Sequence, residues 1–118
     1  MKNFAVKSNF EKRLKEYYKD KVDIVVYCSE KSSYTSIKSI SKKKNILSVY
    51  YRSDGIRIQI KDNEKYKKLY YNQLSKEKVC QRDSARPKST PGFFQFYVSQ
   101  TNVIQVVTEY VEYIINLL

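Results

Sequence analysis

A chain of 118 residues, 42% hydrophobic and 30% charged, is long enough to bury one ordinary core, too short for two, and too apolar to stay disordered. It contains no histidine, two glycines and two cysteines without CxxC spacing, which excludes the usual zinc sites, the glycine-rich phosphate loops and the histidine-activated nucleophiles. The net charge of +11 is lopsided, because residues 1–92 hold all 23 basic residues and 10 of the 12 acidic ones, whereas Phe93 to Leu118 carry only Glu109 and Glu112.

Ser8 followed three residues later by Glu11 has the form of a capping box, and Phe10, Leu14, Tyr17 and Tyr18 recur behind it at helical spacing. The spacing predicts a helix from about Asn9 to Lys19, with Lys12, Arg13, Lys15 and Lys19 on a solvated basic face. From Val22 to Cys28 the chain turns β-branched and aromatic, the composition of a strand. A second strand is expected over Tyr34–Ile40, where Tyr34, Ser36, Lys38 and Ile40 alternate with Thr35, Ile37 and Ser39. Ser41-Lys42-Lys43-Lys44-Asn45 then makes a cationic turn into Ile46–Arg52, and Ser53-Asp54-Gly55 closes a hairpin onto Ile56–Lys61.

That hairpin is the best-defined local structure in the sequence. Ile56, Ile58 and Ile60 fall on one face and Arg57, Gln59 and Lys61 on the other, so one face is core and the other cationic. On its partner strand Leu47, Val49 and Tyr51 alternate with Ile46, Ser48 and Tyr50. Asn63 to Lys78 reads as a short helix or helical loop carrying Tyr66, Leu69, Tyr70 and Leu74. Gln81 to Gly92 holds Arg82, Arg86, Lys88, Pro87 and Pro91 without apolar periodicity, and is expected to be a loop. Phe93–Val98 has the composition of a buried strand. After it, Ser99 or Thr101 is placed to cap a helix over Asn102–Leu118, whose broad apolar face should be the main packing element against the sheet.

Catalysis is not expected. Asp54 and the Gln59-Ile60-Lys61 stretch sit too close to one turn to match the carboxylate cluster of a metal-dependent nuclease, and no cofactor or metal motif is present. The sharper constellation is basic and aromatic: Lys42, Lys43, Lys44, Tyr50, Arg52, Arg57 and Lys61 along the hairpin, with Arg82, Arg86 and Lys88 as a second clamp. Lysine and arginine neutralise phosphates, the arginine fork matches phosphate or base acceptors, and an exposed tyrosine stacks on an unpaired base. The competing explanation is a solubility charge on a lysine-rich chain from an AT-rich genome, with Tyr50 and Tyr51 divided between core and rim. Nothing at MKNFAVKSNF has the form of a signal peptide, and no apolar stretch reaches membrane-spanning length, so a cytoplasmic chain with free thiols at Cys28 and Cys80 and no membrane partner is expected.

Ile37-Lys38 and Lys43-Lys44-Asn45-Ile46 ahead of Gly55-Ile56-Arg57-Ile58, then Gly92-Phe93-Phe94-Gln95-Phe96 leading to Tyr110–Ile115, resemble a small uncharacterised domain of predicted transport proteins that also occurs attached to restriction-type nucleases. The resemblance runs from about Phe10 to Leu118, and the basic stretch Gln81–Gly92 departs from it. The outline is also similar to the MmcQ/YjbR-like double-wing domains, a sheet with a terminal helix suspected of binding DNA. Both resemblances imply an α+β fold.

The sequence therefore leads to a single α+β domain in which one antiparallel sheet of four to six strands packs one face on the N- and C-terminal helices and leaves the other partly exposed and cationic. The expected function is a non-enzymatic module binding DNA or RNA, accessory to a defence or DNA-processing system. The alternative is a protein-interaction or inhibitor domain, such as a small phage-encoded protein docking on a host enzyme. Tyr113, Leu117 and Leu118 leave room for a homodimer.

Overall fold

A strand whose inward side chains are isoleucine and whose outward ones are polar can lie only at the boundary of a core, and the hairpin behaves this way: Ile56, Ile58 and Ile60 are buried while Lys61 is exposed. Full burial of one such side chain is worth roughly 1.5–3 kcal/mol, so this face is strongly specified. The computed structural model describes residues 4–28, 33–52, 55–74 and 88–118. Chain order runs α1 (Phe4–Tyr17), β1 (Ile24–Tyr27), β2 (Tyr34–Ser39), β3 (Lys44–Arg52), β4 (Gly55–Lys61), α2 (Glu64–Leu69) with a π-helical turn at Tyr70–Leu74, β5 (Lys88–Thr90), β6 (Phe93–Val98) and α3 (Val103–Leu117). The six strands form one antiparallel sheet in the order β1-β2-β3-β4-β6-β5, and the N- and C-terminal helices pack on it as the α+β reading expected.

All three helices share one side of the sheet. On that side Phe10 of α1 meets the Tyr51 ring edge-on, Tyr110 of α3 packs on Phe96, and Tyr70 packs on Phe94 and Phe96. Tyr110 is fully buried, its hydroxyl donating to the Tyr66 carbonyl and accepting from the Tyr70 N–H, both at 3.0 Å, so α3 holds the end of α2 in place. A second polar tie fixes α1: Lys7 donates to Glu11, Thr35 donates to the same carboxylate, and the Thr35 and Tyr51 hydroxyls are 3.0 Å apart. Burial pushes the Tyr51 hydroxyl well above the ordinary phenol range.

Several boundaries differ from expectation, each for a physical reason. α1 begins at Phe4, so Ser8 lies inside the helix and Glu11, instead of closing a capping box, is buried between Lys7 and Thr35. Tyr17 is 49% exposed, whereas Phe10, Leu14 and Tyr18 are buried. Ile46 does not share the outward face of Ser48 and Tyr50. Ile37 pairs with Leu47 and Lys38 with Asn45, which makes Ile46 the extra residue of a bulge, and the bulge lets Ile46 and Leu47 both enter the core. The stretch read as loop up to Gly92 contains β5, because Pro91-Gly92 forms a two-residue turn, with Gly92 at φ +88°, that returns the chain from Thr90 to Phe93. Asn102 takes the position before α3 without a side-chain cap, while Ser99 and Thr101 bond to each other. Among the described residues no helix is long and apolar enough to cross a membrane.

The lysine turn is held by a residue that precedes β1. Asp23 accepts from the Ser39 hydroxyl at 2.8 Å and from the Ser41 N–H at 2.6 Å, and its carbonyl accepts from the Ile40 N–H. These bonds, with a smaller contribution from Lys42, hold its carboxyl below the usual range. They brace a turn in which Lys43 adopts the left-handed conformation at φ 54°, unfavourable for a side chain with a Cβ. A depressed carboxyl stabilises the fold above its unfolded-state pKa and stops doing so as the pH falls through its folded value. Asp23→Ala should therefore lower the melting temperature at pH 7, and the gap from wild type should narrow on acidification to about pH 2, since the contribution fades once the pH is below the unfolded-state pKa of about 3.9 and approaches the lower folded value. Thermal melts at the two pH values check this, and an equal gap at both would assign the loss to packing.

Candidate nucleic-acid interface

The sheet side away from the helices is built in three rows that run across the strands. The first is Tyr34, Tyr50, Arg57 and Tyr97, joined in register through β2, β3, β4 and β6. The second is Tyr27, Ser36, Ser48, Gln59 and Gln95. In the third, Val25, Lys38 and Asn45 register on one side of the sheet and Lys61 and Phe93 on the other. The middle row is low: Ser36, Ser48 and Gln95 are buried between taller side chains, and the Ser36 and Ser48 hydroxyls lie 3.3 Å apart with Asn45 donating to Ser48.

Tyr50 organises the first row. Its ring stacks on Tyr34 with centroids 5.3 Å apart, and the Arg52 and Arg57 guanidinium carbons lie 5.3 and 5.6 Å from its centroid. Cation–π contacts of this length hold two guanidinium forks against one ring. Three of the residues singled out from the sequence thus form one cluster. Lys44 and Lys61 form another, on the walls of a depression of about 240 Å³ with Ile46, Tyr66, Ile114 and Leu118. The two clusters sit towards opposite ends of β3, roughly 14–20 Å apart at the rise of an antiparallel strand. Lys42 and Lys43 are exposed in the braced turn beside Lys44. Lys88 belongs to β5 and registers with Gln95, whereas Arg82 and Arg86 lie outside the described residues.

The electrostatics of this face follow from what it lacks. The six strands contain no aspartate or glutamate, while Lys38, Arg52, Arg57 and Lys61 stand on this side of them and Lys44, the register partner of Ser39, on the helix side. Among the described residues, two flanking carboxylates are engaged: Asp23 in the turn, and Asp62 with Lys67 at 2.8 Å. Sequence reasoning missed Tyr27, Tyr34, Lys38, Phe93, Gln95 and Tyr97. The period-two alternation of β2 and β6 carried the signal for which face each residue takes, but not that β6 would lie beside β4.

A cleft of about 400 Å³ lies between α1 and α3, where Tyr18, Asp23, Thr108, Glu112 and Asn116 meet. Its Asp23 is already committed to the lysine turn, and the Tyr18 hydroxyl is raised by burial and by the Tyr17 and Glu112 charges, so the cleft offers no poised acid–base pair. Cys28 is no activated nucleophile either, since burial and the Glu11 carboxylate push its thiol up. No group of three or more metal-ligating side chains occurs among the described residues. Comparison with family models, with curated proteins and with solved structures finds no match to this chain.

Proposed function

We propose that the chain is a non-enzymatic module that binds nucleic acid on the exposed face of its sheet. The observation that carries this is a sheet whose six strands contain no carboxylate and on which Arg52 and Arg57 are held over Tyr50. A solubility charge needs only scattered, mobile lysines. Two guanidinium groups held against one ring among tyrosines cost side-chain entropy, a cost that contact with a bound anion offsets. The phosphate backbone is the polyanion that suits a row of cations, and the lysine turn extends the same positive field.

The test is a salt titration of binding to labelled oligonucleotides followed by fluorescence anisotropy. If four to six phosphates are neutralised, log K should fall against log salt with a slope of about −3 to −5. Absence of binding at low salt would end the reading.

A further inference from the structure

Resting on that reading, we infer that the ligand is an unpaired strand laid across the β-strands along the low Ser36–Ser48–Gln59–Gln95 row, with Tyr27 and Phe93 as stacking platforms towards its two ends. Tyr27 and Phe93 are the most exposed rings of this face, at 48% and 43%. Each has a lysine beside it: Lys38 Nζ lies 4.6 Å from the Tyr27 centroid, and Lys61 is the register partner of Phe93. A ring paired with a cation suits one nucleotide, the base on the ring and the phosphate at the ammonium. In a duplex the bases already stack on one another and present only backbone to a broad face, so these rings would have nothing to stack on.

The geometry points the same way. Tyr27 on β1 and Phe93 on β6 are separated by four strand spacings, about 19 Å. That path suits a few nucleotides, the low end of the roughly 4–16 that single-strand-binding folds cover. The row between them is polar and low, walled by Tyr34, Tyr50, Arg57 and Tyr97 on one side and by Lys38 and Lys61 on the other. Within it two polar atoms have no hydrogen-bond partner among the described residues: the Arg57 Nε in the wall and the Oε1 of Gln95, a residue 9% exposed in the floor. Buried groups are rarely left unmatched. One is a donor and the other an acceptor, and side-chain rotation offers both to the edge of a base, an edge that pairing would occupy.

The experiment compares, by anisotropy in low salt, a 12-nucleotide DNA strand, the RNA of the same sequence and the DNA duplex, each against wild type and the Tyr27→Ala/Phe93→Ala double variant. Wild type should prefer single strand over duplex by at least tenfold, and the DNA and RNA arms tell which sugar is preferred. Stacking losses of roughly 5- to 150-fold per ring should weaken single-strand binding by the double variant, with duplex binding within twofold of wild type. Duplex bound as tightly as single strand, or single-strand binding indifferent to the loss of both rings, overturns the inference while leaving nucleic-acid binding in place. Absence of binding to all three overturns both. Should the double variant fail to fold, the wild-type preference alone decides.

Discussion

Arg52→Ala/Arg57→Ala should weaken nucleic-acid binding by roughly 30-fold or more, since an arginine in good contact is worth about 1–3 kcal/mol. The slope of log K against log salt should become shallower by about 1.5–2, as two phosphate contacts disappear. Exchange of both for lysine keeps the charge and loses the planar fork, so the slope should survive while part of the affinity does not. The matching control is Lys12→Ala/Arg13→Ala, two exposed cations of α1 on the helix side of the sheet. It removes the same formal charge, and binding should change by no more than a long-range contribution. If both double variants weaken binding equally, net charge and not the Tyr50 cluster is responsible.

This variant also separates binding from folding. The Arg57 Nε is buried without a hydrogen-bond partner among the described residues, an arrangement that costs the folded state. Removal of Arg57 relieves that cost, so the variant should melt no lower than wild type by more than a few degrees even as affinity collapses. A side chain kept at the expense of stability suits a role outside the fold's own needs.

Glu11→Ala should be the most destabilising single change outside the hydrophobic core. Lys7 and Glu11 are both buried, 3.2 Å apart, and the same carboxylate takes the Thr35 hydroxyl bond that joins α1 to β2. Loss of one partner from a buried ion pair costs about 3–5 kcal/mol, far more than such a pair contributes relative to apolar packing. For a chain of this size that is a fall in melting temperature on the order of 10–20 °C. Glu11→Gln keeps an acceptor for Thr35 and should fall between. Exposed Lys12→Ala should shift stability by less than about 0.5 kcal/mol. A Glu11→Ala protein melting within 1–2 °C of wild type would show that water or a rearranged Lys7 replaces the carboxylate without cost.

Much of the fold was legible because burial writes itself into short periods. The alternation of Ile56, Ile58 and Ile60 with Arg57, Gln59 and Lys61 named a strand, its two faces and the chemistry of each, and the long apolar face of α3 named its packing partner. The first helix was found from Phe10, Leu14 and Tyr18, although its start was placed late, since Ser8 and Glu11 match a cap only as long as Glu11 has no better partner. β5 was hidden because three residues are too few for a period, and the proline and glycine that marked a break were the turn of a hairpin.

Composition and spacing by themselves determined the α+β class, the cationic outer face of the hairpin and the want of histidine chemistry, because each depends on residue type or on neighbours within one strand. Tertiary structure alone decided that β6 inserts beside β4, so that Tyr97 and Gln95 join Arg57 and Gln59 from a segment nearly 40 residues away. It also decided that Ile46 turns inward at a bulge, that Asp23 braces the lysine turn, and that Tyr27 and Phe93 stand at the two sides of one face. Strand order is a long-range choice made by the whole core at once, and no local period records it. The cationic hairpin that the sequence displayed is therefore one part of a wider surface, whose aromatic rows exist only once the sheet is assembled.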